Sequence, residues 1–319
     1  MTSFAITRLT DHTGAEVCGL DCSKPVDPQI RDRLNRAFTD HHVLVIRDQH
    51  FAPDQFKSAA QLFGELQPHD KKEHHVPGHP DVSYVSNDEF VNGRRIIPGE
   101  TFHTDHSNHP RPPKATTLFA VTLPSHGGDT QYVNMHKAYD DLPDETKQKI
   151  DGLKAVHVYL SKYSPRPLGH LTDDSRQKLP PPGIHPLVRT HPENGRKALF
   201  LNPVRMESIV GMDEQAALSL IDDLMRHATQ KKYEYRHKWR HGDWVFDRPS
   251  GKHPTISRRS APPRRKCSRP ACGRAYRAKQ ADRGCVDWLA RRIRRHMALP
   301  PAARARTSIR RWMNNRERS

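Results

Sequence analysis

The sequence predicts a mixed α and β fold that is mainly β, an antiparallel sandwich or barrel with helices packed outside. Short strand-like segments outnumber helical ones, and long polar loops separate them. The chain has 319 residues, of which 34% are hydrophobic, so its main part can bury a substantial core. It contains no run of roughly 18 apolar residues of the kind that crosses a membrane.

The first half of the chain alternates between the two element types. Ile30, Leu34 and Phe38 recur at helical spacing and predict a helix over 28–41. A buried strand over 43–46 and a helix over 54–63 follow. Further strands are predicted over 117–123, 130–133 and 155–160, and a helix over 142–153.

The second half begins with a predicted lid and a hairpin. The polar stretch 165–182 is a long loop and a candidate lid. Strands over 185–189 and 198–201 flank the turn signal at 192–195. Asp213 is the expected N-cap of a helix, whose apolar face is formed by Ala217, Leu220, Ile221, Leu224 and Ala228.

The net charge of +17 is confined to the C-terminal segment. Pro249–Ser319 holds 21 of the 53 basic and 3 of the 36 acidic residues, so it carries +18 while the first 248 residues carry −1. We therefore divide the chain into a globular body, 1–247, and a basic tail rich in Arg and Pro, 248–319, for which we expect disorder. Overall pI says nothing about the partners of the body, and we do not expect nucleic acid among them.

The most informative short pattern is His103-x-Asp105, called here the His-x-Asp pair. On an extended segment both side chains point the same way, because a strand has a periodicity of two. Two histidines and one carboxylate are the ligand set of non-haem iron oxygenases, which leaves three metal positions open. With 22 histidines in the chain, the spacing alone also fits a surface histidine beside a turn aspartate.

The surrounding residues add order and spacing to this pattern. The segment Phe102-His-Thr-Asp-His-Ser107, the Pro112-Pro113 stretch and Leu123-Pro-Ser-His-Gly-Gly-Asp-Thr130 together resemble the TauD/TfdA family, the taurine and 2,4-dichlorophenoxyacetate dioxygenases. Segments 14–21, 43–49 and 185–202 resemble that family too, and the similarity covers about residues 5–247.

This resemblance implies a double-stranded β-helix core, jelly-roll and cupin-like, with flanking helices and its last strands in question. It also implies an Fe(II) enzyme that uses 2-oxoglutarate as co-substrate and O2 to hydroxylate a small organic anion. His103 and Asp105 would be iron ligands, and Thr130 would bind a 2-oxoglutarate carboxylate. No catalytic side chain is expected beyond the metal centre.

Two further residues are candidates for the substrate pocket. His69 lies in a histidine-rich segment, and family members use a histidine in this region to hold the substrate anion. Asn87 could line the pocket or simply belong to a turn after a strand. The histidine-rich segment itself lacks the paired spacing of a zinc motif and fits a solvated loop.

The C-terminal part departs from the family. The family has Trp-Asp-Asn-Arg-x-x-x-His where this chain has Phe246-Asp-Arg-Pro249. His253 has the spacing of the third iron ligand, and Arg265 and Arg269 have that of the 2-oxoglutarate arginines. Three explanations stay open: a divergent end in which these residues complete the site, a slip of reading frame near codon 246, or an evolved basic module.

Two other functions remain as alternatives to the dioxygenase. The chain could be an inactive remnant of the oxygenase fold, or a polyanion-binding protein acting through its basic tail. The N-terminus shows no secretory signal pattern and the five cysteines form no even framework, which predicts a cytoplasmic protein with reduced thiols. We expect a small-molecule substrate and no membrane partner, and assembly into a homo-oligomer stays open.

Overall fold

A computed structural model describes residues 4–67, 74–86, 99–164 and 179–247, together with the backbone of 89–91, 94–96, 255–259 and 274–277. Its helices are α1 (Pro28–His41), α2 (Pro53–Ala60), α3 (Met135–Asp140), α4 (Asp144–Ile150) and α5 (Glu214–Ala228). Short 3₁₀ turns cover Gln61–Phe63 and Lys231–Tyr233. None of the described helices has the length and apolar character that a bilayer crossing requires.

Nineteen short strands account for the β structure of the described residues. They are β1 (Ala5–Arg8), β2 (Ala15–Cys18), β3 (Val43–Ile46), β4 (His75–Val76), β5 (His79–Ser83), β6 (Val85–Ser86), β7 (Glu89–Val91), β8 (Arg94–Ile96), β9 (Thr116–Thr122), β10 (Thr130–Asn134), β11 (Lys154–His157), β12 (Gly183–Pro186), β13 (Val188–Thr190), β14 (Lys197–Leu199), β15 (Met206–Ile209), β16 (Glu234–His237), β17 (Trp244–Asp247), β18 (Thr255–Arg259) and β19 (Arg274–Arg277).

The largest sheet, sheet I, has seven strands in the order β1-β2-β3-β17-β9-β19-β6. Its pairings are antiparallel except for β2 with β3, which are parallel and are joined through α1. A parallel pair needs a crossover of this kind, because a tight hairpin can join only antiparallel strands.

Sheet I is buried on both faces, as alternation along β3 and β17 shows. Leu44, Ile46, Trp244 and Phe246 pack with α1 and α2 in one apolar cluster. Val43, Val45 and Val245 point the other way and pack with Tyr132 and Tyr235. We call the second face the inner face, because it meets another sheet.

That other sheet, sheet II, has the order β16-β10-β18. Tyr132 of β10 is paired with Tyr235 of β16, and their rings stack with centroids 6.1 Å apart. Because side chains alternate along a strand, Thr130 shares the inner side of β10 with Tyr132. Val133 points away into a third core. Two sheets therefore face each other across a shared layer, as in a sandwich.

Sheet III has the order β12-β11-β15 and packs, with the β13-β14 hairpin, against the remaining helices. This core contains Leu187, Leu201, Ile209 and Leu224, together with Ile150 of α4. The hairpins β4-β5 and β7-β8 complete the described strands. None of these sheets closes on itself, so the prediction of a mainly antiparallel fold with outer helices is confirmed at that coarse level, without a closed barrel in the described part.

Most of the elements predicted from the sequence are present with small shifts. Helix α1 and strand β3 have the expected bounds, and Asp213 caps α5. The predicted strand over 185–189 is broken at Leu187 into β12 and β13, which belong to different sheets. Residues 165–178 of the candidate lid lie outside the described residues.

The sequence predicts no strand after Phe246, and the structure differs there. Strand β18 pairs with β10 of sheet II, and β19 pairs with β9 of sheet I. Without them β10 and β9 would be sheet edges, whose open N–H and C=O groups are a template for any extended segment. Pairing therefore overrides the weak local pattern, while the domain boundary at residue 247 stays a prediction.

Candidate active site

The segment that carries the His-x-Asp pair is extended, and its side chains alternate as expected. Phe102 packs into the same apolar core as Leu201. The hydroxyl of Thr104 donates to the carbonyl of Leu201 at 3.0 Å. His103 and Asp105 are left to point together in the other direction, which is the periodicity argument made from the sequence.

The two side chains of the pair meet. Nδ1 of His103 lies 2.8 Å from the carbonyl oxygen of Thr101, which can only accept, so Nδ1 carries a proton. Nε2 faces Oδ1 of Asp105 at 3.4 Å. A neutral imidazole nitrogen and a carboxylate oxygen at this distance face each other with lone pairs, which repel. The arrangement therefore calls for a cation, either a proton on Nε2 or a metal ion.

Asp105 is fixed by the inner face of sheet I. Oδ2 of Asp105 accepts a hydrogen bond from the Thr116 hydroxyl at 3.1 Å. Thr116 is the first residue of β9 and is paired with Asp247. It lies on the same inner side as Leu118, which is paired with Val245. Because the second carboxylate oxygen is held from that face, Oδ1 is the oxygen turned toward His103.

Asn202 fixes the backbone between the two residues of the pair. Its Nδ2 donates to the Thr104 carbonyl at 2.6 Å and to Oγ of Ser107 at 2.8 Å, and its Oδ1 accepts from the Val204 backbone at 3.1 Å. Metal ligands depend on such neighbours, which are held in turn by the rest of the fold. The chain reverses just after the pair at His106, whose φ of 52° is left-handed.

Residues of sheet III contact the loop that follows the His-x-Asp pair. Nδ1 of His157 lies 3.0 Å from Oγ of Ser107, and burial lowers the pKa of His157 to about 3. Burial also lowers the pKa of His185, whose Nε2 lies 2.9 Å from the carbonyl oxygen of His109. A Cβ at Gly183 would lie 2.7 Å from the Asn108 carbonyl oxygen, so glycine permits this close approach.

Thr130 stands where the Gly127-Gly128 turn enters β10, and both glycines have positive φ, 72° and 82°. The side chain is buried on the inner side of sheet II. Its Oγ1 accepts a hydrogen bond from the indole Nε1 of Trp239 at 2.9 Å. The predicted role of the two glycines, to present Thr130 at a strand start, agrees with this geometry.

Five other candidate residues lie outside the described residues: His69, Asn87, His253, Arg265 and Arg269. Within the part of the chain that the structure describes, no three His, Cys, Asp or Glu side chains come together as a metal site. The described chain therefore supplies two converging donors, which suit a divalent metal with room for further ligands.

Comparison with known proteins identifies the family. The model of the family described as "Taurine catabolism dioxygenase TauD, TfdA family" matches residues 5–246. The chain belongs to the TauD/TfdA family. The resemblance seen in the sequence is confirmed, and TauD/TfdA membership makes the protein a dioxygenase by descent.

Individual TauD/TfdA relatives support this placement. The chain is 35% identical over 231 residues, 68% of its length and 76% of the relative's, to "Alpha-ketoglutarate-dependent 2,4-dichlorophenoxyacetate dioxygenase" from Burkholderia sp. (strain RASC). A taurine dioxygenase from Burkholderia xenovorans superposes with a TM-score of 0.70 at 29% identity, covering 86% of this chain and 89% of that one. AAD-2 in complex with Mn(II) and N-oxalylglycine superposes with a TM-score of 0.70 at 30% identity, covering 88% and 98%.

The structure adds three residues that were not predicted for this TauD/TfdA site: Thr116, Asn202 and Trp239. Thr116 bonds Asp105 from 11 positions away, whereas Asn202 bonds Thr104 across 98 positions and Trp239 bonds Thr130 across 109. Asn202 closes the family-like segment 185–202, whereas Trp239 lies outside the individual segments named from the sequence, within the range of about 5–247 that the similarity covers. Only the fold shows what they contact.

Proposed function

We propose that the protein is an Fe(II)- and 2-oxoglutarate-dependent dioxygenase that hydroxylates a small organic anion. One oxygen atom of O2 enters the substrate as a hydroxyl and the other enters succinate, with release of CO2. The single observation that carries this proposal is the meeting of His103 and Asp105 on an extended segment, within a chain of the TauD/TfdA family.

The His-x-Asp pair is the proposed iron site. Nε2 of His103 and Oδ1 of Asp105 are the proposed ligand atoms, and His253 is the proposed third ligand. When bound, the iron with O2 and 2-oxoglutarate supplies an oxidant strong enough for an unactivated C–H bond. The surrounding residues would fix the orientation of the two ligands. Thr101 fixes the imidazole tautomer, Thr116 orients the carboxylate, and Asn202 holds the intervening backbone.

The proposed 2-oxoglutarate site includes Thr130 on the inner side of sheet II. A buried hydroxyl can donate to a carboxylate there, and a charged acceptor makes that bond stronger than a neutral one. Arg265 and Arg269 are the proposed partners of the far carboxylate. The AAD-2 complex supports this class of ligand, since N-oxalylglycine has the carbon and oxygen skeleton of 2-oxoglutarate with an N–H in place of one methylene.

The proposed substrate is a small organic anion, such as an aryloxy acid, a sulfonate or a sulfate ester. The relatives named above act on 2,4-dichlorophenoxyacetate and on taurine, a carboxylate and a sulfonate. His69 and Asn87 are the proposed substrate contacts. We further propose that sheets I and II form a double-stranded β-helix, because they face each other across a common layer that also holds Thr130.

The direct test is succinate formation. Purified protein with Fe(II), ascorbate, O2 and 2-oxoglutarate is incubated with a panel of aryloxy acids, sulfonates and sulfate esters. We expect succinate in excess of the substrate-free reaction for one of these classes, and a loss of at least 100-fold in His103→Ala. Succinate formation that is equal in His103→Ala, or absent from every reaction including the substrate-free one, would argue against the proposal.

Two alternatives predict different results for a chain that ends at Asp247. If the basic tail is a polyanion-binding module, that truncation loses its affinity for heparin or DNA and keeps its metal binding. If the tail supplies His253, the truncation loses metal binding. The nucleotide sequence of codons 240–255 distinguishes a frame slip from divergence, because a one-base change would restore Trp-Asp-Asn-Arg-x-x-x-His.

A further inference from the structure

Trp239 makes an unusual contact with the proposed 2-oxoglutarate residue. Its indole Nε1 lies 2.9 Å from Oγ1 of Thr130, although the two residues are 109 positions apart. An indole N–H can only donate, so the threonine oxygen must accept. Thr130 is 2% exposed, so water has little access to this hydroxyl.

The contact fixes the direction of the threonine proton. A hydroxyl has one hydrogen, and with the indole N–H bound on one side, that hydrogen points elsewhere. Among the described residues Thr130 has no second hydrogen-bond partner. A buried donor without an acceptor costs about 1–3 kcal/mol in general. The site therefore holds a donor oriented for an acceptor-only ligand, and a carboxylate is such a ligand.

Trp239 is itself held in place. Its ring and the His237 ring are nearly perpendicular, at 88°, with centroids 4.5 Å apart. His237 is fully buried, with Nδ1 3.0 Å from the Tyr235 hydroxyl and Nε2 3.1 Å from Oδ2 of Asp243. The same carboxylate oxygen accepts from Arg47 at 2.8 Å.

Burial and hydrogen bonds shift the pKa values of this network. Burial lowers the pKa of His237, which outweighs the raising effect of Asp243. Burial raises the pKa of Asp243, but hydrogen bonds from His237 and the Arg240 backbone, with the charge of Arg47, bring it below its usual value. The indole thus packs against a neutral imidazole, whose Nε2 faces the ionised Asp243 carboxylate that Arg47, just after β3, also binds.

We propose that Trp239 is a positioning residue for 2-oxoglutarate. By donating to Oγ1 of Thr130, it makes that hydroxyl a fixed donor to a carboxylate of the co-substrate. The inference rests on the proposed function, since it assumes that Thr130 binds 2-oxoglutarate. It assigns Trp239 no contact with iron and no role in the reaction itself.

The test is a double-mutant cycle on binding. The Kd of 2-oxoglutarate is measured by calorimetry on the full chain loaded with Mn(II), which does not turn over, for wild type, Trp239→Phe, Thr130→Val and the double variant. We expect Kd to rise about tenfold in Trp239→Phe and at least as much in Thr130→Val, as for a hydrogen bond to a charged group. The double variant should match Thr130→Val, because the indole acts only through the hydroxyl.

Trp244 supplies the matched control. It is fully buried on β17, and its Nε1 has no hydrogen-bond partner in the described structure. Trp244→Phe removes the same ring and N–H from the core, and its Kd for 2-oxoglutarate should stay within twofold of wild type. A merely structural role for Trp239 predicts instead that the two tryptophan variants change Kd alike and that the effects of Trp239→Phe and Thr130→Val multiply.

A second measurement applies if Trp239→Phe does not fold. In protein with ¹⁵N-labelled tryptophan and Zn(II), one indole N–H resonance should move in Thr130→Val, and the same resonance should move in wild type when 2-oxoglutarate binds. An indole resonance indifferent to both changes, or a Kd unchanged in Trp239→Phe, overturns the inference. If wild-type protein with bound metal takes up no 2-oxoglutarate at all, the proposed function has failed instead.

Discussion

At the scale of single residues, hydrogen bonds decide which atoms of the His-x-Asp pair can bind a cation. The Thr101 carbonyl accepts from Nδ1 of His103, and Thr116 donates to Oδ2 of Asp105. Nε2 and Oδ1 are thereby turned toward each other at 3.4 Å. A ligand pair that is oriented before the metal arrives avoids the cost of ordering side chains on binding.

The Thr116 contact gives the first prediction. Thr116→Val keeps the shape of the side chain and removes its donor to Asp105. We expect the Kd for Mn(II) to rise about tenfold, since loss of a partner that holds a metal ligand typically costs 10–100-fold in metal affinity. The measurement is a titration of the protein with Mn(II), monitored by calorimetry.

Thr117 is the neighbouring control. Its hydroxyl donates to the Val245 carbonyl at 3.2 Å and it occupies the opposite side of β9. Thr117→Val should leave the Kd for Mn(II) within about twofold. Equal affinities in Thr116→Val and wild type would show that the contact does not position Asp105.

The sequence predicted the His-x-Asp pair and Thr130 but not the residues that hold them. The pair follows from strand periodicity over three positions. Asn202 acts on Thr104 across 98 positions, and Trp239 acts on Thr130 across 109. Nothing in local spacing encodes such contacts, because sheet pairing and loop packing create them.

At the scale of elements, helix α5 is an example in which the local sequence predicts both the N-cap and the buried face. Asp213 accepts from the backbone N–H groups of Gln215 and Ala216 at 2.9 and 3.1 Å, as an N-cap should. The expected apolar face, including Leu220 and Leu224, is buried. Strands β12 and β13 were harder to predict, because the sequence shows one continuous apolar segment that the fold divides between a sheet and a hairpin.

The second prediction concerns this cap. Asp213→Ala should lower the free energy of unfolding by about 1 kcal/mol, because two backbone donors lose their acceptor. Asp222→Ala, an exposed change on the same helix, should stay within about 0.5 kcal/mol of wild type. Urea unfolding measures both, and metal affinity should be unchanged in each. Equal loss of stability in the two variants would contradict the capping role.

At the scale of the whole molecule, two sheets enclose a layer that contains the proposed site residues. Thr116 lies on the inner face of sheet I and Thr130 on the inner side of sheet II. Sheet III carries His157 beneath the loop that follows the pair. The fold class followed from the number of short strands, whereas the pairing of β18 and β19 did not, because it depends on open sheet edges.

The buried histidine gives a prediction about stability and pH. The pKa of His157 is about 3 in the folded chain, against about 6.5 when unfolded. As pH falls, the unfolded state binds the proton first, so this contribution is complete above about pH 6.5 and is lost progressively toward pH 3. Between pH 7.5 and 5.0, His157 should account for about 2 kcal/mol of lost stability.

The check is urea unfolding at both pH values in wild type and His157→Gln. The variant should lose about 2 kcal/mol less than wild type over this interval. The exposed His50→Gln should follow wild type. The contribution of His237, whose pKa burial also lowers, is common to all three proteins and cancels in the comparison. Identical losses in wild type and His157→Gln would refute the assignment.

If His103 and Asp105 hold iron with 2-oxoglutarate beside it, anaerobic absorption spectroscopy will detect the complex. Fe(II) and then 2-oxoglutarate are added to folded protein in the absence of O2. We expect a weak visible metal-to-ligand charge-transfer band in wild type and in the exposed control His50→Ala, and none in His103→Ala or Asp105→Ala. Well-folded wild-type protein without the band, or a band that survives in both site variants, would contradict this iron site.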